Sequence, residues 1–262
     1  MKQGVAALQK QYRDSANFRK RSRLVGKFST NRYPWYRWVC DQLELSSDAH
    51  VLELGCGPGS LWKRNLDRIA AGSLIVLSDF SAGMLRDSQR NLGEQQTRFA
   101  FCQLDAAGLP FRASSLDAVV ANMMFYHVEN RPSALQDIRR ALRPQGRFYA
   151  TTTGRGYMRE LNLAAAQILQ ISRRTPSAER FGLENGMELL QSVFAQVEMR
   201  RYHNELRVTE VEPLIDYFAS MEPFISPPPE RWPALREHFQ NAINQRGAIV
   251  IPLDVGILIA HD

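Results

Sequence analysis

The sequence predicts an α/β fold: a mostly parallel sheet with helices on both faces and an antiparallel edge near the C-terminus. Three observations carry this. Between residues 50 and 152 short apolar strands alternate with helical segments, which is the pattern of a parallel sheet built from crossover units. Two late strands, 197–208 and 247–260, have no crossover helix of the βαβ kind between them, so they predict an antiparallel edge. The 262 residues are 44% hydrophobic and 23% charged. That is enough for one large packed domain, or a domain with a small cap, and it excludes disordered and fibrous chains.

Taken in order, residues 5–27 predict a basic amphipathic helix, with Val5, Leu8, Tyr12 and Ala16 near helical spacing. Residues 31–45 predict a second helix with Pro34 in its first turn, rich in the aromatics Tyr33, Trp35, Tyr36 and Trp38. These two form an expected N-terminal helical lid, 1–45, ahead of a domain spanning 46–262. Strand 50–54 runs into glycines. Helix 61–70, strand 74–77 ending in Ser78-Asp79, helix 82–91 and strand 99–104 ending at Asp105 follow. Strand 116–121 leads to Asn122-Met-Met-Phe-Tyr-His127. Helix 132–142 stops near Pro144 and Gly146, before strand 147–152. Helices are expected at 157–172 and 183–194, then strand 197–208. Residues 209–246 read as an insertion of two helices around an elbow that holds six of the chain's 13 prolines. It is too short for a core of its own and is expected to cap the sheet edge or the active site. The last strand is expected to bend at Pro252.

No run of about 18 apolar residues exists, so no membrane-crossing helix is expected. The N-terminus has no sustained apolar stretch of the secretory kind. Three scattered cysteines, Cys40, Cys56 and Cys102, make neither a disulfide framework nor a closed zinc site, and predict a reducing cytoplasm. Charge is unevenly placed. Residues 1–40 hold ten Lys/Arg and one acid, a net +9, while the remaining 222 residues are −3. Such an arm meets an anionic substrate or nucleic acid, or is simply a solvated helix face.

The most informative segment is Val51-Leu-Glu-Leu-Gly-Cys-Gly-Pro-Gly59. A buried strand runs into three glycines spaced by one residue and then into a helix. Glycine permits a sharp turn and close approach of a ligand, and the helix start offers free N–H groups. The dinucleotide fingerprint needs Gly or Ala at position 60, which is Ser60. Glu53, at a buried strand end, demands a cationic or hydrogen-bonding partner. Asp79 follows Gly59 by 20 residues and suits both hydroxyls of a ribose; Asp105, ending the third strand, suits an adenine amino group. Each acid alone has an ordinary reading as a strand-end or capping residue. Three of them on successive strand ends converge on one ligand crevice.

As a set, these residues resemble the class I S-adenosylmethionine-dependent methyltransferases, in the small-molecule branch that includes quinone and biotin-precursor methyltransferases. The matching features are the E-x-G-x-G-x-G loop, Ser78-Asp-Phe-Ser81 with Met84, Asp105-Ala106, Ser115-Leu-Asp-Ala-Val119 and Ile138-Arg-Arg-Ala-Leu-Arg-Pro-Gln-Gly146. The resemblance covers residues 51–152 and implies a Rossmann-like seven-stranded sheet with S-adenosylmethionine as cofactor. It implies that Glu53, Gly55, Cys56, Gly57 and Gly59 face the methionine moiety. It further implies that Asp79 holds the ribose with Phe80 against the adenine, that Asp105 and Ala106 meet the adenine edge, and that Asn122 lines the methyl end.

His127 lies just past the fourth strand, where similar enzymes often carry a histidine, and with Tyr126 is the candidate acid/base; the alternative is a capping or packing role. Tyr12, Tyr33, Tyr36 and Arg155 are candidate acceptor contacts, against ordinary packing. The absence of Asp/Asn-Pro-Pro-Tyr after the fourth strand argues against base-amine methylation of nucleic acid, and the cysteines lack the context of a nucleophile. The expected activity is metal-independent methyl transfer to a small molecule at O, N or C, with no nucleic-acid or membrane partner. The alternatives are an RNA or protein methyltransferase using the basic arm and a non-catalytic cofactor-binding partner subunit. Ser60 and Glu53 weaken a nicotinamide dehydrogenase.

Overall fold

The structure, a computed structural model, describes residues 8, 10–171, 177–221 and 227–262. Seven strands form one sheet in the order β3-β2-β1-β4-β5-β7-β6. They are β1 His50–Leu54, β2 Leu74–Asp79, β3 Phe99–Gln103, β4 Leu116–Asn122, β5 Leu142–Thr153, β6 Gln196–Val208 and β7 Ile249–His261. β1 pairs in parallel with β2 and β4, β2 with β3, and β4 with β5. β7 runs antiparallel to β5, from Phe148 opposite Ala260 to Thr153 opposite Val255. The predicted parallel body and antiparallel C-terminal edge are both present. The strand order reverses between β1 and β4, so a crevice opens at their carboxyl ends, where ligands of such sheets bind.

The helices are α1 Ala16–Phe28, α2 Trp35–Asp41, α3 Ser60–Lys63, α4 Ala82–Leu92, α5 Arg131–Ala141, α6 Arg159–Leu169, α7 Ser177–Phe181, α8 Leu183–Gln191, α9 Glu212–Ala219 and α10 Arg231–Arg246. The period-2 alternation of the strands sorts the core into two layers. Leu52, Leu54, Val119, Ala121, Phe148 and Ala150 pack with α5 and α7 on one face. Val51, Ala118, Val120 and Tyr149 pack with Val39, Leu61, Trp62 and Leu85 on the other.

The chain divides into two compact units, at places other than the expected boundary at 45. The sheet unit holds residues 33–155, 176–202 and 255–262, so α2 belongs to it rather than to a lid. The second unit takes the described parts of 1–32, 156–175 and 203–254. The 209–246 insertion therefore does share a core, which needs two other segments to complete it. α1 packs on α9, and α10 packs on α6 and α9. Leu24, Phe28, Leu161, Leu169, Leu214, Phe218, Leu235 and Phe239 are buried there, and the rings of Phe218 and Phe239 stack 6.1 Å apart.

Four further expectations change. Much of the first half of helix 5–27 lies outside the described residues; what is described turns at Tyr12–Ser15, and α1 starts at Ala16, whose N–H is capped by Asp14 Oδ1 at 2.9 Å. Ala16 is exposed, and Leu24 and Phe28 form the buried face. Pro34 occupies the N-cap of α2 rather than its first turn. The expected helix 61–70 ends at Lys63, because the buried Asn65 side chain donates to the carbonyls of Leu61 (2.7 Å) and Tyr36 (2.9 Å). A side chain that bonds backbone in this way competes with the helix ladder. The predicted helix 157–172 begins at Arg159 and ends by Leu169, and its last predicted residue lies outside the described ones.

Because Phe239 is 2% exposed in the second unit's core, Phe239→Ala is expected to destabilise that unit by about 3–5 kcal/mol. Urea denaturation followed by circular dichroism measures it, and a loss below about 1 kcal/mol would show that this ring is not part of a packed core.

Candidate active site

The loop from β1 to α3 is built by conformational necessity. Gly55 and Gly59 both take left-handed backbone, at φ +60° and +69°. A Cβ at Gly55 would fall 2.9 Å from Met124 Cγ, and one at Gly59 would collide with Ser88 Oγ. The loop is thus wedged between the end of β4 and helix α4, leaving no room for side chains at 55 and 59. Cys56 N–H donates to Ser78 O at 2.8 Å, and Ser78 Oγ donates to Glu53 O at 2.8 Å. Asp79, at the end of β2, accepts Gly57 N–H on Oδ2 (2.9 Å) and Ser81 N–H on Oδ1 (2.8 Å). Ser81 Oγ in turn caps α4 through Met84 N–H. Burial raises the Asp79 pKa, and the two backbone N–H groups oppose that shift.

Glu53 is 1% exposed, and of the cationic or hydrogen-bonding partner expected for it the structure supplies the second, an indole: Trp62 Nε1–H donates to Oε2 at 2.8 Å. Burial pushes the Glu53 pKa up to about 8, the indole bond opposes this, and Asp79 adds to it. Tyr36 reaches the same cluster. Its hydroxyl hydrogen-bonds Ser60 at the head of α3, and burial pushes its pKa up to about 12.

On the β2–β3 side, Phe80 is 41% exposed and its carbonyl accepts from Gln103 Nε2. Asp105 is exposed, with Oδ1 accepting Ala107 N–H at 2.9 Å, and Ala106 is buried beside it. Two candidates face inward. Met84 is 1% exposed on the core side of α4 and serves packing, and the Cys56 side chain is buried in the loop, where its thiol pKa is raised by burial.

At the end of β4, Asn122 is half-buried and its Oδ1 accepts Thr151 Oγ1–H at 2.7 Å. Met123 takes left-handed backbone and donates its N–H to Thr151 Oγ1 at 2.8 Å. The short 3₁₀ turn Phe125–His127 follows, closed by His127 N–H on Met124 O at 2.8 Å. Tyr126 is buried and His127 half-buried, with ring centroids 4.6 Å apart.

Of the other candidates, Tyr33 is engaged elsewhere. The Tyr33 hydroxyl donates to Asp41 Oδ2 at 2.5 Å and accepts from Arg68, so it belongs to an ion-pair network beyond α3. Tyr12 belongs to the second unit, under the Arg21 guanidinium. Arg155 is exposed just past β5. Conversely, Trp62, Met124 and Thr151 take part in the site without having been singled out in the sequence. Only Thr151 had a visible signal, as one of three consecutive threonines that follow Phe148-Tyr-Ala150 at the end of the strand.

These residues fit an adenosyl ligand. The space a Cβ would take at Gly57 is open, so a ligand can approach that backbone closely. Beside it stand a carboxylate with lone pairs beyond its two backbone bonds and an exposed aromatic face.

Residues 52–150 match the methyltransferase-domain family. The chain is 33% identical over 116 residues to the ubiquinone/menaquinone biosynthesis C-methyltransferase UbiE of Methylococcus capsulatus, covering 44% of this chain and 47% of that one. It is 29% identical over 150 residues to the malonyl-[acyl-carrier protein] O-methyltransferase of Enterobacter lignolyticus, covering 56% of each. The chain spans about half the length of the curated relatives it matches. Among solved structures, the YcgJ protein from Bacillus subtilis superposes with a TM-score of 0.58 at 14% identity, over 87% of this chain and 98% of that one. Phosphoethanolamine N-methyltransferase 2 of Haemonchus contortus, solved with S-adenosylhomocysteine, gives 0.53 at 15%, over 87% and 52%. The family match covers residues 52–150, less than half of the chain, and these low-identity structures share its fold. No helix of the described residues is long and apolar enough to cross a membrane.

Since Glu53 holds its proton to about pH 8 in the fold but near its ordinary value when unfolded, its contribution to stability is complete below about pH 4.5 and is lost as pH rises to 8. Glu53→Gln removes that titration. The stability difference between wild type and variant is therefore expected to shift in the variant's favour from pH 5 to pH 8. Melts across this range measure it, and a difference independent of pH would refute a neutral buried Glu53.

Proposed function

We propose that this protein transfers the methyl group of S-adenosylmethionine to a small, apolar or aromatic molecule. The observation that carries the reading is the Asp79 carboxylate held over the Gly55–Gly59 loop at the carboxyl ends of β1 and β2, within the segment that matches the methyltransferase domain. Relatives named for quinone and malonyl-thioester acceptors support the small-molecule class.

When bound, S-adenosylmethionine supplies an electrophilic methyl group on a sulfonium. The residues of the chain bind and orient. Asp79 accepts the ribose hydroxyls, the Phe80 ring lies against the base, and Asp105 with Ala106 meets its edge. Glu53, protonated near neutrality, sits beneath the loop on the methionine side. The positive charge vanishes as the new bond forms, so the main contribution is positioning in an enclosed site. Where the acceptor must lose a proton, His127 is the group placed to take it.

Calorimetry with S-adenosylhomocysteine tests the reading. Asp79→Ala is expected to weaken binding by about 1–3 kcal/mol, through lost charged hydrogen bonds to the ribose. Unchanged affinity would remove Asp79 from the site, and tighter binding of NAD than of S-adenosylhomocysteine would overturn the assignment. His127→Ala is expected to lower methyl-donor consumption with a metabolite extract by about 10²–10⁴-fold while S-adenosylhomocysteine affinity holds; normal turnover with a normal melt would sink the proton-transfer role.

A further inference from the structure

The end of β4 is fixed by a side chain that no family motif covers. Thr151 lies opposite Asn122 in the β4–β5 register and is fully buried. A backbone N–H can only donate, so the Met123 N–H at 2.8 Å makes the Thr151 hydroxyl an acceptor. The hydroxyl's own proton then goes to Asn122 Oδ1 at 2.7 Å. Turning the Asn122 amide over would set Nδ2 against the hydroxyl and take from its proton the only acceptor this arrangement offers. The bond therefore fixes which way the amide faces. Oδ1 points at β5, and the Nδ2 group, which has no partner among the described residues, is turned away from β5 on a half-buried residue.

We propose that Thr151 positions Asn122 to present N–H donors at the methyl end of the crevice, selecting acceptors that offer an oxygen there over amines that offer only N–H. This rests on the proposed methyl-transfer reading and narrows it to oxygen-bearing acceptors such as phenols and enols. An oxygen beside the reacting atom gains a hydrogen bond from Nδ2. An aryl amine, its lone pair drawn into the ring, sets donor against donor. Met123 is held in left-handed backbone by the same hydroxyl, and Met124 then packs on Gly55, so the placement of this segment is tied to the cofactor loop as well.

Calorimetric titration of 2-naphthol and 2-naphthylamine into the protein saturated with S-adenosylhomocysteine tests this. Wild type is expected to bind the naphthol at least about tenfold more tightly, roughly the worth of one hydrogen bond. Asn122→Asp, which replaces the donors with an acceptor, is expected to reverse the order. Thr151→Val is expected to bring the two ligands within about twofold, and Thr151→Ser to restore the preference, which a purely packing role for this residue would not do. Equal affinities in wild type, no binding of the naphthol, or a preference that survives Asn122→Asp would overturn the proposal. Binding of S-adenosylhomocysteine is read in the same experiment. Its failure sinks the methyltransferase reading, whereas its success without an oxygen preference sinks only this inference.

Discussion

The cofactor loop stands where it does because one carboxylate spans two backbone amides. Asp79 holds Gly57 from one side and Ser81 from the other, so the end of β2, the loop after β1 and the cap of α4 move as one piece. Without that bridge a loop with left-handed glycines at 55, 57 and 59 has many other conformations open to it, and ordering it is costly. The neighbours complete the constraint by exclusion: Met124 and Ser88 occupy the places where side chains at 55 and 59 would stand. The free lone pairs of Asp79 are thereby set in a rigid frame, which is what a site that works by positioning requires.

Much of this was legible in the sequence, because it depends on local order. A buried strand, spaced glycines and acids at successive strand ends follow from chain direction and period, and the sheet reproduces them at Glu53 and Asp79, while β3 ends at Gln103 and leaves Asp105 two residues beyond it. What was not legible depends on packing across the fold. Glu53 was expected to need a cationic or hydrogen-bonding partner, but which of the two was not apparent. The indole that meets it lies nine residues on, and faces it only because α3 turns back over the loop and stops at Lys63. That stop is invisible to periodicity, since Leu61, Leu66 and Ile69 keep a helical rhythm past the point where Asn65 captures the carbonyls. Likewise Tyr33 and Tyr36 read alike in sequence. Pro34 starts the helix between them, sending one hydroxyl to Asp41 and Arg68 and the other to Ser60.

The two acids of the site show how environment divides one chemistry. Asp79 lies at the edge of the crevice with two N–H groups, and Glu53 lies deeper with a single indole N–H. Desolvation raises both, and the deeper group, with fewer donors to offset burial and a second carboxylate nearby, is pushed up to about 8. Beneath the loop the fold therefore favours a neutral acid, which avoids two adjacent buried negative charges.

The second unit is stitched from three separated stretches of chain, and this bears on how the protein is made. α1 is among the first described segments to be synthesised, yet the helix it packs on, α9, begins at Glu212, and α10 ends at Arg246. During translation Leu24 and Phe28 wait, uncovered, for some two hundred residues to be added. The parallel strands β1 to β5, whose contacts span shorter loops, are complete long before that. Synthesis order favours early pairing of the parallel strands β1 to β5, with β7 and the helical unit completed last.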